Sequence, residues 1–258
     1  MFAIAFQRFI ILATFLLLTC SVFAQEDEKD TYKYRRGFLF PFSYKIQLPA
    51  ADLAQRFGTN FSIGSGVHLK SEQNWIYGIE ASYLFGSVIR QESLLNSYLY
   101  HNTGFIIDNT GRPANVVFNE RGWTATIRIG KLLPLHPTNK ESGLILQGGI
   151  GILQHQLQVD LRGYNVPLLE GPYLAGIDRL SNGISLVQNI GYLHLDSRRL
   201  INFAISFEAY QAFTRNRRIY NFDEGRTDQD LRVDLLFGVR FTWILPVYRQ
   251  HKNQFFYN

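Results

Sequence analysis

From Leu231 onward the odd positions are Leu231, Val233, Leu235, Phe237, Val239, Phe241 and Trp243, with Arg232, Asp234, Leu236, Gly238, Arg240 and Thr242 between them. A helix would scatter those apolar residues around its circumference, whereas a strand gathers them on one face. The period of two therefore predicts a strand over 231–243. Upstream, Ile201, Phe203, Ile205, Phe207, Ala209 and Phe213 share one face, while Asn202, Ser206, Glu208 and Thr214 share the other. The same alternation runs through Phe38–Leu48, Phe61–Lys70, Trp75–Gly86 and Trp123–Gly130, and through a Gly-rich stretch from Gly143 to Asp160. The segment Ile184–Leu195 is the least regular, because Gln188 falls on its apolar face. A β-bulge is the expectation there. The pattern predicts eight strands, the even number that a single-chain bacterial barrel with both termini on one side requires.

The connections follow a rule of their own. Ser71–Asn74 and Ser197–Leu200 are short, and about eight residues with Pro134, Pro137 and Asn139 join the fourth and fifth strands. Between these lie longer stretches, near 49–58, 91–121, 161–183 and 215–230. Short periplasmic turns alternating with long extracellular loops are the signature of an outer-membrane barrel, with both termini in the periplasm. The fold class expected is all-β: a membrane-spanning, antiparallel, up-and-down β-barrel of eight strands.

Alternation looks the same inside out, so a soluble sandwich or lipocalin-like barrel competes with this reading. Two features favour the membrane. Trp75, Tyr77, Trp123, Phe241 and Trp243 sit toward strand ends on the apolar face, as interfacial girdles do. The polar face carries Gly64, Gly66, Gly78, Gly86, Gly130 and Gly238, small residues suited to a crowded lumen. Composition agrees, with 21 Phe, 14 Tyr, 3 Trp and 21 Gly.

The first residues stand apart from the period. Arg8, the apolar run Phe9–Leu18 and the small-residue ending Val22-Phe23-Ala24 before Gln25 lay out a secretory signal peptide over residues 1–24. The acidic segment Glu26-Asp27-Glu28 follows too soon for a membrane-spanning helix, which needs roughly 20 apolar residues. Cys20 would be a lipidated cysteine in a lipoprotein, but Thr19 before it is a poor fit. Cleavage after Ala24 removes that lone cysteine, so disulfides and thiolate metal sites are excluded from the mature chain. Residues 25–37 read as a periplasmic arm, 38–248 as the barrel and 249–258 as a periplasmic tail. Removing Arg8 leaves 25 basic against 21 acidic residues, a mild and dispersed excess that argues against nucleic-acid binding.

The candidate site is a set of charges on the inward face: Lys45, Glu80, Arg128, Glu208 and Arg240. Counted from the periplasmic strand ends they fall in one layer, with Glu80 and Arg128 on neighbouring strands, Glu208 and Arg240 likewise, and Lys45 adjoining on closure. Buried charges must pair, because an unpaired ion away from water costs several kcal/mol. A structural network plugging the lumen is expected, which argues against an open pore. Catalytic, cofactor and metal sites are expected to be absent. His101 and His155 lie toward the extracellular side without a positioned nucleophile and read as surface or rim histidines. Asp223, Glu224, Asp228 and Asp230 lack EF-hand spacing and read as a solvated acidic loop.

The chain resembles the small eight-stranded outer-membrane barrels typified by the OmpA transmembrane domain and OmpX. The likeness covers Phe38 to about Tyr248 and rests on architecture and on Leu231–Trp243, whose alternation and closing aromatics are similar to a barrel-assembly signal. It departs from them in the residues that follow that strand, Leu245–Asn258. The signal end Val-Phe-Ala-Gln and the Tyr/Phe-rich strands also resemble small barrels that accompany type IX secretion and gliding machinery. The function expected is that of a non-enzymatic membrane protein acting through its long loops or periplasmic ends as an adhesion, stability or complex-accessory component. Its partners would be outer-membrane lipid and an envelope protein met by the loops or the C-terminal tail. A lipid-modifying enzyme and a narrow small-solute channel are the alternative readings.

Overall fold

In the computed structural model the described residues are 36–90, 106–136, 139–196, 201–218, 220–222 and 225–248. The signal segment, the N-terminal arm before residue 36, the C-terminal tail, His101, Asp223 and Glu224 lie outside them. The period-two segments all form strands: β1 (Gly37–Ala50), β2 (Asn60–Lys70), β3 (Trp75–Gly86), β4 (Val117–Pro134), β5 (Gly143–Asp160), β6 (Ser181–Leu195), β7 (Asn202–Asn216) and β8 (Arg232–Tyr248). Each pairs antiparallel with its chain neighbour, and β1 pairs with β8, so the sheet closes on itself. Among the described residues a short helix, α1 (Ala51–Arg56), and a two-residue ladder between Ile106–Ile107 and Pro113–Ala114 add to it.

The closing seam carries three prolines. Pro41 faces Ile244, Pro49 faces Leu236 and Pro246 faces Leu39. A proline brings no N–H to a ladder. On its other edge β1 pairs with β2 over Gly37–Leu39 and Phe42–Gln47, and the pairing skips Phe40 and Pro41.

Two details of the strands differ from expectation. β4 starts at Val117, six residues before the alternation becomes visible. No bulge occurs at Gln188: it pairs with Gly148 on one side and Ala209 on the other in unbroken register, so its amide simply faces outward.

The two faces of the sheet meet different surroundings. Exposed outward positions are overwhelmingly apolar, among them Ile63, Ile79, Ile127, Ile150, Ile184, Ile205, Phe207, Val239 and Phe241. A soluble protein rarely exposes a contiguous apolar patch beyond a few hundred Å². A belt running around a closed barrel is a hydrocarbon-facing wall, and closure leaves the sheet no free edge inside it. At the short-turn end Lys131 lies 5.2 Å over the Trp75 ring, and Trp75 stacks on Tyr77 at 6.4 Å, placing amphipathic groups at the rim of the belt.

The interior is layered. Nearest the short turns, Leu39, Ile76, Leu132, Ile145, Leu193, Leu195, Ala204 and Ile244 form an apolar floor. Toward the long loops a larger apolar cluster includes Leu53, Phe57, Leu84, Leu153, Val187 and Leu236, with Ile106, Val166, Leu169 and Ile177 contributed by loops folded over the mouth. After β1 the chain turns inward at Ala51, in the left-handed region with φ 54°. That turn sets α1 in the mouth, where Leu53 and Arg56 are buried and Asp52 Oδ2 accepts the Val233 N–H at 2.8 Å. A lumen cavity of about 30 Å³, bordered by His68, Gln147, Arg240 and Ile244 among others, lies above the apolar floor.

Candidate functional site

Between the two apolar layers lie the inward charges of β1, β3, β4, β7 and β8. Lys45, Glu80, Arg128, Glu208 and Arg240 are all buried, Lys45 with 1% of its surface exposed. Glu208 is the hub: its carboxylate lies 2.6 Å from Lys45 Nζ, 2.5 Å from Arg128 Nη1 and 3.2 Å from Arg240 Nη1. Glu80 takes Arg240 Nη2 at 2.8 Å and Arg128 Nε at 3.2 Å. Neighbour-strand pairs exist, as between Glu80 and Arg128, but the contacts also cross the lumen, from β4 to β7 and from β3 to β8.

Two members of the cluster are missing from the set read off the sequence. The Tyr210 hydroxyl accepts from Lys45 Nζ at 3.1 Å and from Arg128 Nη2 at 2.8 Å, so both cations share a neutral acceptor as well as an anion. His68 Nε2 lies 2.9 Å from Glu80 Oε1. Both are accessible to period-two counting, since Tyr210 follows Glu208 by two and His68 follows Gly66 by two. Thr126 and Thr242 complete the layer by accepting from Arg128 Nε and Arg240 Nε, each at 3.0 Å. The glycines make room for these heads. A methyl added at Gly78 would sit 1.9 Å from the His68 ring, and one at Gly66 would sit 2.7 Å from Glu80 Cγ.

A second polar cluster lies nearer the mouth. His155 is not a rim or surface histidine: it is 1% exposed, faces inward and lies edge-on to Phe57 with ring centroids 5.6 Å apart. Parity places it there, because inward positions of β5 are odd-numbered and the loops cover that part of the lumen. His155 Nε2 lies 2.9 Å from Asp234 Oδ2, which also accepts Thr214 Oγ1 at 2.5 Å, while Asp234 Oδ1 accepts Arg56 Nη2 at 3.1 Å. The aspartate so pins α1 inside the barrel. Beside it Asn60 Nδ2 donates to Glu120 Oε2 at 3.0 Å.

The long loops carry their own ion pairs. Arg218 pairs with Asp178, joining the β5–β6 and β7–β8 connections, and Arg232 pairs with Asp228. Asp228 is thus buried and paired, not part of a freely solvated acidic loop. Burial alone would raise its pKa. The hydrogen bond and charge of Arg232, the Asp230 N–H and Asn221 outweigh that, and the net direction is downward. A carboxylate with a depressed folded pKa contributes stability that is complete above the unfolded value, roughly 3.9, and lost as pH falls through the folded one. Amide exchange across 225–232, corrected for its intrinsic rate, is therefore expected to accelerate between about pH 5 and about pH 3. An Asp228→Asn variant should exchange fast at both values. Among the described residues no group of three or more His, Cys, Asp or Glu could hold a metal ion.

An apolar wall around an ion-paired interior makes the chain a membrane-spanning eight-stranded β-barrel protein. No protein-family profile matches the chain, and no curated protein does. Among solved structures it is similar to Ail, the attachment invasion locus protein of Yersinia pestis, crystallised with the heparin analogue sucrose octasulfate. There the identity is 7%, the TM-score 0.41, and the match covers 81% of this chain and 99% of that one. Neisserial surface protein A is similar at 10% identity and TM-score 0.39, over 80% of this chain and 96% of that one. OprG of Pseudomonas aeruginosa is similar at 9% identity and TM-score 0.34, over 82% and 97%. At these values the barrel's own geometry, and not the likeness, carries the assignment.

Proposed function

We propose that the chain is a non-enzymatic integral protein of a bacterial outer membrane, exported behind residues 1–24. It acts as a structural, adhesion or complex-accessory component through its long loops and its periplasmic ends. The observation that carries this reading is the filled interior: a five-charge layer between two apolar layers leaves the ends of the barrel, and not its lumen, as the surfaces available to partners. The packed lumen weighs against the channel alternative, since an eight-strand interior is filled by its own side chains. The burial of His155 beneath Phe57 weighs against an acyl-transferring rim histidine.

Two measurements test it. Purified protein in planar bilayers should give no stable single-channel conductance, and a reproducible conductance would overturn the reading in favour of a solute channel. The mature chain has no cysteine, so a Thr227→Cys variant carries one exposed label site in the last long loop. A membrane-impermeant maleimide should label it on intact cells. Protection until lysis would reverse the orientation.

A further inference from the structure

The outer wall of β4–β7 at the long-loop end departs from the apolar rule in an ordered way. Trp123, Gln154, Asn182 and Arg215 stand side by side on four successive strands, by register. Successive strands are about 4.8 Å apart, so this row spans roughly 14 Å of wall. One pleat further out, Arg121 lies opposite Gln156, and Arg217 follows Arg215 by two and points the same way. One pleat below the row are Ile152, Ile184 and Phe213, members of the apolar belt. The row is therefore the line at which hydrocarbon gives way to headgroups.

The cations on this line are available. Arg215 is exposed, and its guanidinium makes no hydrogen bond or ion pair with the described residues. Arg217 is exposed, and its guanidinium donates from Nε to Asn182 Oδ1 at 2.5 Å, which leaves its Nη groups uncommitted among the described residues. Among the described residues the Arg121 side chain donates to backbone carbonyls, Glu120 O at 2.8 Å and Gly86 O at 3.5 Å. Among the described acids of this end, Asp178 and Asp228 are taken by Arg218 and Arg232, and Asp160 and Glu170 lie further out. Residue choice points the same way. The connections 51–59, 87–116, 161–180 and 217–231 contain eight arginines and no lysine. Lysine would supply the same charge for solubility or steering. Arginine adds a planar fork matched to phosphate oxygens, and the amides of Gln154 and Asn182 can both donate to and accept from hydroxyls.

We propose that this wall is a binding site for a phosphorylated glycolipid of the outer leaflet. Arg215 and Arg217 hold its phosphate, Gln154 and Asn182 its sugar hydroxyls, and Ile152, Ile184 and Phe213 its acyl chains. The site rests on the reading that the long loops face outward.

The test is native mass spectrometry of the refolded barrel titrated with diphosphorylated lipid A, with the dephosphorylated glycolipid, phosphatidylglycerol and inorganic phosphate as separate arms. Tight retention of the phosphorylated glycolipid is expected, with the dephosphorylated form at least about tenfold weaker, the scale of one charge-assisted contact. The Arg215→Gln/Arg217→Gln double variant should lose a similar factor. An Arg112→Gln variant in another loop should bind as the parent does. The substituted positions are all exposed, and heat-modifiable gel migration verifies that each variant is folded. Equal binding by parent and double variant overturns the site. Equal binding of phosphatidylglycerol overturns the glycolipid assignment, and equal binding of inorganic phosphate leaves a phosphate site with no lipid specificity. Binding in vitro, together with a Thr227→Cys variant that stays unlabelled on intact cells, would instead overturn the orientation and leave the chemistry standing.

Discussion

Replacing Glu208 with alanine is expected to lower the unfolding free energy of the refolded barrel by about 3–5 kcal/mol, the usual penalty for breaking a buried ion pair by removing one partner. Three cations converge on this carboxylate. Glu80 still serves Arg128 and Arg240 in the variant, but Lys45, buried, is left with the neutral Tyr210 hydroxyl. The loss therefore comes mainly from a stranded ammonium, and not from a missing attraction. This makes a second result diagnostic. Adding Lys45→Met to Glu208→Ala should recover part of the loss, because it removes the uncompensated charge and leaves an apolar stem in its place. Glu208→Gln should fall between parent and alanine variant, since it keeps shape and one acceptor but loses the charge. Denaturant titration in lipid vesicles, followed by fluorescence of Trp75, Trp123 and Trp243, gives the value for the parent, for each of these variants and for Lys45→Met alone. Additive losses from Glu208→Ala and Lys45→Met would show that the pair does not act as a unit. A loss below about 1 kcal/mol for Glu208→Ala would mean that water reaches the layer and screens it.

The strands are legible in the sequence wherever one face meets hydrocarbon, and become illegible where that contrast ends. β4 shows why. Over 123–130 its outward residues are Trp123, Ala125, Ile127 and Ile129, but over 117–122 they are Val117, Asn119 and Arg121, which stand above the apolar belt. With apolar and polar residues mixed on both faces, Val117 beside Asn119 and Arg121 outside and Phe118 beside Glu120 inside, period two leaves no trace, although the backbone continues to pair with β5 as far as Asp160. The reverse happens at Leu39, Ile76, Leu132, Leu193 and Leu236. These inward residues are apolar because the lumen is closed above and below its charges, so alternation blurs there for want of a polar partner face. Counting along strands places the five charges in one layer, but it does not give their actual partners. Strand order supplies neighbours only, whereas Arg128–Glu208 and Glu80–Arg240 are contacts across a closed cylinder whose diameter two long side chains can span. His155 defeats sequence reading for a related reason. Its partner Asp234 is 79 positions away, and the cover that buries it, α1, follows β1 through a turn at Ala51 that no glycine or asparagine announces.

Adjacent residues of β4 give the sharpest test of which face meets what. Ile127 is 65% exposed and lies between Ile79 and Ile150, themselves 61% and 53% exposed. In a water-soluble barrel the substitution Ile127→Arg would fall within about 0.5 kcal/mol of neutral, as exposed changes remote from special features do. At the middle of a hydrocarbon belt the same change is expected to destabilise by about 2–4 kcal/mol, because the guanidinium must either enter lipid or drag water and headgroups to it. The penalty should shrink to about 0–1 kcal/mol when arginine is placed instead at Asn182, on the row where the belt ends. Unfolding of both variants in phospholipid vesicles measures the gradient directly. A flat profile, with Ile127→Arg as mild as Asn182→Arg, would remove the wall from the membrane. The neighbouring side chain obeys the opposite rule. Arg128, one residue on, is held at 2% exposure by Glu208, Glu80 and Tyr210. Exchanging the two residues would put isoleucine among ions and arginine into lipid, so the double change should fail to fold although it leaves composition and charge untouched. What this protein requires of its sequence at this level is parity, and a soluble barrel with the same alternation would require the opposite one.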